Sequence, residues 1–338
     1  MNLLKTIESL RGKPYPGPPT DDDLACTEVS DAARLCRAPL VSVLMITYNH
    51  EPYIREAVEG VMAQVAPFEY ELLIGEDCSS DGTRSVAEQL QKEFPDRIRL
   101  FHSGRNIGWN YNIERLRRHV RGKYIAWCEG DDYWTDPGKL AKQVALIERT
   151  GTVVSFAFNN ILTPDGTLLP QTCSCPEVID YDECRMYFHF STYLIRAEVL
   201  ARAHEDYPGV PEWYDTVMMP ILAAYGRISV LPEIVSVYRI TGSGIATSLS
   251  DRQKCIRGMD QNVSLYLYGP RDNRRKSLLA ILRESALYFY LRSSGGSLRQ
   301  QEGRMVLSVF CFALPRVLFK PSALKSLMYL LASVIRRG

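Results

Sequence analysis

The sequence predicts an α/β fold, a doubly wound sheet flanked by helices and followed by a helical C-terminal extension. Three observations carry this. Near-continuous aliphatic runs, led by residues 40–46, have the composition of strands buried on both faces. Segments of helical periodicity alternate with these runs, as βαβ units require. Polar clusters then follow the first, second and fourth strands, at the carboxyl ends where such sheets bind ligands.

The elements follow in order. Residues 40–46 form a strand, and residues 53–64, with Ile54, Val58, Val61 and Met62 on one face, form a helix. Residues 70–75 read as a strand, 85–94 as a helix, 97–101 as a strand, 109–121 as a basic helix and 124–128 as a strand. The second half is less regular. It has strands at 152–158 and 193–195, a turn at Pro164-Asp-Gly166, a helix at 217–225, and strands at 227–231 and 235–239 before the loop Thr241-Gly-Ser-Gly244. Helices dominate from Arg252 onward. Residues 1–39, with Pro14, Pro16, Pro18 and Pro19 ahead of Asp21-Asp-Asp23, read as an N-terminal extension holding at most a short helix at 31–35. The expected division is therefore 1–39, a catalytic or binding domain at 40–250, and a helical region at 251–338.

Composition removes several function classes. A net charge of +1 gives no basic field for nucleic acid. Nine scattered cysteines without paired C-x-x-C spacing argue against a zinc site and for a reduced, cytoplasmic setting. No apolar run is long enough to span a bilayer. After Glu302 the chain carries basic residues and no acid, and Leu324, Leu327, Met328, Leu331, Val334 and Ile335 recur on one helical face. Residues 303–338 therefore suit either an anionic membrane surface, placing the protein at the inner face of the cell membrane, or packing against the rest of the chain.

The strongest chemical signal is Glu129-Gly-Asp-Asp-Tyr-Trp134. Carboxylates crowded at a strand end repel one another unless a cation lies between them, and a hard ion such as Mn(II) or Mg(II) takes oxygen ligands. An acidic turn capping a helix is the plainer reading of these residues alone. A second cluster, Thr47-Tyr48-Asn49-His50, offers a hydroxyl, an aromatic face and an amide for a planar base, or simply a helix N-terminus. The third is Gly75-Glu-Asp-Cys-Ser-Ser-Asp-Gly82, in which Glu76 or Asp77 is placed to accept the N–H of a base.

In residue type, order and spacing, Val41-Ser-Val-Leu-Met-Ile-Thr-Tyr-Asn49, Glu76-Asp-Cys-Ser-Ser-Asp-Gly-Thr83 and Glu129-Gly-Asp-Asp-Tyr-Trp134 resemble the successive signatures of glycosyltransferase family 2. The resemblance spans residues 40–245. It implies a GT-A (Rossmann-like) fold with a mixed sheet, an inverting transfer from a nucleoside-diphosphate sugar, and a divalent metal. Carried over by position, Thr47, Tyr48, Asn49 and Glu76 or Asp77 contact the nucleotide. Glu129-Gly130-Asp131 stands where the family has Asp-x-Asp, so Asp131 is the main metal contact, with Asp132 beside it and Glu129 on the ribose or the metal. Asp215, at the start of the helix beyond Pro211-Glu-Trp-Tyr, is the general base, with Glu212 the second choice. Arg239 clamps the diphosphate, although Thr241 replaces a histidine common in the family. His189-Phe-Ser-Thr192 resembles a segment beside the acceptor pocket, and a strand start explains it as well. The implied acceptor is a glycan or a lipid-linked sugar in surface polysaccharide synthesis. Two alternatives stand: a non-catalytic nucleotide- or glycan-binding scaffold, and a nucleotidyltransferase. The second lacks the glycine-rich basic loop that it needs after the first strand.

Overall fold

The computed structural model describes residues 3–180, 188–242, 244, 249–293 and 300–313. In chain order the first elements are α1 (Leu3–Arg11), β1 (Thr27–Val29), β2 (Val41–Thr47), α2 (Ile54–Met62), β3 (Tyr70–Glu76), α3 (Thr83–Glu93), β4 (Ile98–His102), α4 (Trp109–Arg117) and β5 (Tyr124–Trp127). Next come β6 (Tyr133–Trp134), α5 (Lys139–Thr150), β7 (Val154–Leu162), β8 (Leu168–Gln171), β9 (Val178–Ile179), a 3-10 turn (Phe190–Thr192), β10 (Leu194–Arg196) and α6 (Ala197–Asp206). The chain continues with α7 (Asp215–Leu222), β11 (Ile228–Arg239), α8 (Asp251–Tyr268), α9 (Arg274–Ser293) and α10 (Gln300–Ala313).

These elements belong to two units that cut across the expected three segments. One joins Pro19–Glu205 to Leu222–Gly242, and the other joins Met1–Pro18, Asp206–Ile221 and Ser243–Gly338. The first holds one mixed sheet, in the order β1-β4-β3-β2-β5-β10-β7-β11-β6. Strands β4, β3, β2 and β5 are parallel, and the direction of winding reverses between β2 and β5. β10 runs antiparallel to both β5 and β7, while β11 runs parallel to β7. Every residue of β3 is buried, and β2 is nearly so, which is why both read as unbroken apolar runs. Val43, Met45, Leu72 and Ile74 pack against Ile54, Val58 and Val61 of α2 and Leu140, Val144 and Ile147 of α5.

Three features depart from the expectation. Residues 228–239 form one strand, not two, with register shifts on both sides of Ile234; Pro232, which has no N–H, sits in the irregular stretch. Helices α5 and α6 lie where no helix was expected. Residues 1–39 are not a loose extension: β1 adds to the sheet edge against β4, and α1 buries Leu3, Ile7 and Leu10 in the helical unit.

In the helical unit, Leu3, Ile7 and Leu10 pack with Ile256, Met259 and Val263 of α8, Ile281 and Leu282 of α9, and Val306 and Phe310 of α10. Arg11 closes this core with charge: its guanidinium lies 2.7 Å from Glu212 and 3.4 Å from Asp260. Tyr15 donates to Asp260 and Tyr214 to Glu212. Burial lifts the Asp260 carboxyl to about 6. The apolar residues at the start of the basic tail face inward, with Val306, Val309, Phe310 and Ala313 buried. The proposed membrane face from Leu324 to Ile335 lies outside the described residues. Among the described residues no helix is long and apolar enough to cross a membrane.

Candidate active site

The reversal between β2 and β5 brings the three polar loops to one rim. Thr47 ends β2 with its Oγ1 buried and unpartnered, and the Asp77 N–H donates to its carbonyl at 3.0 Å. Asn49 adopts φ 55° and its Oδ1 accepts from the Ser80 N–H at 2.9 Å, so this residue ties the first loop to the second. Tyr48 remains exposed beside it. The two acids that end β3 have different work. Asp77 accepts from the backbone of Ile107 at 2.8 Å and Gly108 at 2.9 Å, so both of its oxygens hold the loop before α4. Glu76 is fully buried; Oε1 accepts from the Ser79 N–H at 2.6 Å while Oε2 has no partner. Of this pair, Glu76 keeps an acceptor atom available.

The acidic turn follows β5. The Gly130 N–H donates to the Ile46 carbonyl at 3.0 Å, and a Cβ on Gly130 would lie 2.7 Å from Thr47 Oγ1. Only glycine allows this approach. Beyond the turn, β6 pairs with β11 through Tyr133↔Val237 and Trp134↔Ser236, which carries Arg239 to the acids. The Arg239 N–H donates to Asp132 Oδ1 at 3.0 Å, its Nε to the Asp131 carbonyl at 2.9 Å, and Nη2 to Glu56 at 2.7 Å. The guanidinium also lies against the rings of Tyr53 and Tyr133. Arg239 thus braces the acidic turn.

The metal-compatible group differs from the expected one. Glu129, Asp132 and His189 bring ligand atoms within 4.8 Å of one another. Asp132 is buried, and its Oδ2, 3.5 Å from His189 Nδ1, has no hydrogen-bond partner. Burial, Asp131 and Glu129 together raise the Asp132 carboxyl well above the usual range. Burial lowers the His189 imidazole to about 3, so it is neutral and able to ligate. Asp131 instead turns towards His50, with its Oδ2 3.7 Å from His50 Nε2. An orphaned buried carboxylate oxygen beside a neutral imidazole and a second acid fits a divalent ion.

The remaining expected residues belong to the helical unit. Asp215 heads α7 and accepts from the Thr216 N–H at 2.6 Å. Glu212 is buried and held by Arg11 and Tyr214, which ties its carboxylate into the core. Part of the loop after Arg239, including Ser243, lies outside the described residues. Sequence reasoning left His189 between two readings because nothing in its spacing links it to residues 129–132. The link is β10, which inserts beside β5 and brings the preceding turn to the end of that strand.

Residues 42–185 match the family model Glycosyl transferase family 2. An uncharacterised protein of Mycobacterium tuberculosis is 34% identical over 223 residues, covering 63% of this chain and 63% of that protein. The chain thus aligns with less than two thirds of the length of this relative. A putative teichuronic acid biosynthesis glycosyltransferase, TuaG of Bacillus subtilis, is 33% identical over 145 residues, covering 43% of this chain and 56% of the relative. Among solved structures, S. aureus TarS in complex with UDP-GlcNAc superposes with a TM-score of 0.62 at 19% identity, over 87% of this chain and 88% of that one. The mannosyltransferase PcManGT of Pyrobaculum calidifontis, in complex with GDP-Man and Mn2+, superposes with a TM-score of 0.53 at 17% identity, over 98% and 92%. These likenesses place the fold in the GT-A class, and residues 42–185 carry a glycosyl transferase family 2 domain.

Proposed function

We propose that the protein is an inverting, metal-dependent glycosyltransferase that moves a sugar from a nucleoside diphosphate to a hydroxyl of a glycan or lipid-linked acceptor. The observation that carries this is the unpartnered oxygen of buried Asp132, 3.5 Å from His189 and beside Glu129, at the switch point of the sheet. Glu129, Asp132 and His189 would hold the ion, while Asp131 faces His50. The mixed carboxylate–imidazole set favours Mn(II) over Mg(II). A bound ion supplies positive charge against the departing diphosphate. The free Glu76 oxygen accepts an N–H of the base, and Tyr48 offers it a face. Asp215 takes the proton of the acceptor hydroxyl, whose oxygen bonds to the anomeric carbon. The bond to the diphosphate breaks on the opposite face, and the leaving group departs with its electron pair. The ligands in the TarS and PcManGT complexes support a nucleotide-sugar donor, and the name of TuaG supports a surface-polysaccharide acceptor.

The test is thermal stabilisation by UDP, GDP and dTDP, each with and without Mn(II), in the wild type and in Asp132→Asn. A metal-dependent shift with one nucleotide, absent from the variant, supports the site and identifies the base. Transfer that survives Asp132→Asn, or Asp215→Asn at full rate, refutes the respective role. Nucleotide binding without transfer to any glycan favours a binding scaffold instead.

A further inference from the structure

We propose that Lys139 and Gln143 of α5, acting with Trp134, are positioning residues for His189; this inference rests on the metal role proposed for His189 above. Lys139 is completely buried. Its Nζ donates to Gln143 Oε1 at 2.8 Å and lies 4.2 Å from the centre of the Trp134 ring. Burying an ammonium group is strongly unfavourable, and an apolar side chain of the same length would avoid that cost. What the lysine provides is direction. Burial lowers Lys139 to about 7, and in its charged form it only donates, so Gln143 presents its carbonyl oxygen to Lys139 and its amide nitrogen to the other side. There, Gln143 Nε2 donates to the carbonyl of Thr192 at 2.9 Å and to that of Ser155 at 3.2 Å. The indole that Lys139 covers donates from Nε1 to the next carbonyl, that of Ser191, at 3.0 Å.

Two consecutive carbonyls of the 3-10 turn are therefore fixed from α5 and β6. His189 caps that turn. The Thr192 N–H and hydroxyl donate to the His189 carbonyl at 2.9 and 2.7 Å, and Ser191 Oγ lies 2.9 Å from His189 Nδ1. The imidazole stacks on Tyr238 with centroids 4.3 Å apart. Rotation of the turn would carry Nδ1 away from Asp132. Without the lysine, the buried Gln143 Oε1 loses its donor, and the amide can keep its bonds to the turn only by leaving that oxygen unsatisfied.

The experiment is a Mn(II) titration followed by electron paramagnetic resonance, with the metal alone as probe. The full chain is used as wild type, Asp132→Asn, Lys139→Met, Gln143→Glu and Leu146→Ala. Gln143→Glu retains an acceptor for Lys139 and removes the donor to Thr192 and Ser155. Leu146 packs in a separate cluster with Ala157, Leu231 and Val235, and its truncation serves as a destabilised control. Lys139→Met and Gln143→Glu are expected to bind Mn(II) about tenfold more weakly, the lower end for lost supporting contacts to a metal ligand, while Leu146→Ala keeps wild-type affinity despite a lower Tm. Wild-type affinity in both α5 variants overturns the inference, as does an equal loss in Leu146→Ala. Wild-type protein that binds Mn(II) no better than Asp132→Asn refutes the metal site itself, and the inference with it.

Discussion

Gly130 shows how little room the site leaves. A methyl group there would meet Thr47 Oγ1 at 2.7 Å and His50 Nδ1 at 3.0 Å, two buried atoms with no other partner. Gly130→Ala is expected to push the acidic turn off the rim and lower transfer by about a hundredfold, with only about 1–2 kcal/mol lost in urea unfolding. A variant that transfers at the wild-type rate would show that the turn tolerates displacement. Two imidazoles, one buried and one half-buried, contribute to the pH response. The folded-state values of His189 and His204, about 3 and about 4, both lie below the ordinary 6.5. Between these limits the unfolded rings bind protons that the folded rings do not, so their contribution is full above pH 6.5 and falls as the solution is acidified, while the raised Asp132 and Asp260 carboxyls act in the opposite sense. The slope is about 1.4 kcal/mol per pH unit for each ring, less for His204, which keeps some contact with water. In urea unfolding of metal-free protein, the stability advantage of wild type over His189→Gln should therefore narrow as the pH falls from 7.5 to 5. At this scale the acids and rim loops were legible from composition and position. The split of labour between Glu76 and Asp77 was not, because it depends on which backbone amides each carboxylate meets.

The joint between β3 and α4 is built from one amide and one arginine. Asn112 Nδ2 donates to the Gly75 carbonyl at 2.7 Å, and its Oδ1 accepts from Arg115 at 2.6 Å. Arg115, fully buried, also donates to the Glu76 carbonyl at 3.0 Å. The Asn112 side chain fills the space that a Cβ on Gly75 would occupy. Asn112→Ala removes one of the two acceptors of this buried charged donor and is expected to cost about 2–3 kcal/mol, measured by equilibrium unfolding. An unchanged midpoint would mean that water replaces the amide. The strands and helices from β2 to β5 were legible because each runs to a single period and is bounded by turn residues. Beyond them, strand order depends on long-range pairing, and no local pattern announces that β10 lies between β5 and β7. The pattern of α5 was present in Leu140, Val144 and Ile147. It simply follows the acidic motif so closely that the motif obscured it.

At the scale of the molecule, the helical unit depends on a charge network with one cation between two acids. Arg11→Ala leaves Glu212 and Asp260 buried without it and is expected to lose about 3–5 kcal/mol. Limited proteolysis should then open residues 249–293 and 300–313 before the strands from Val41 to Arg239. Equal susceptibility to wild type would show the network to be dispensable. The three apolar positions of α1 were too few and too close to a proline-rich stretch to be read as a core helix. Their burial has a consequence for how the chain is made. The sheet unit takes most of its residues from one continuous run and can close as soon as β11 appears. Helix α1 is synthesised before all of this, yet its partners in α8, α9 and α10 are synthesised after it. While the sheet unit is being translated, α1 must therefore wait, amphipathic and unmatched, a natural client for a chaperone, and its docking belongs to the last step of folding rather than the first.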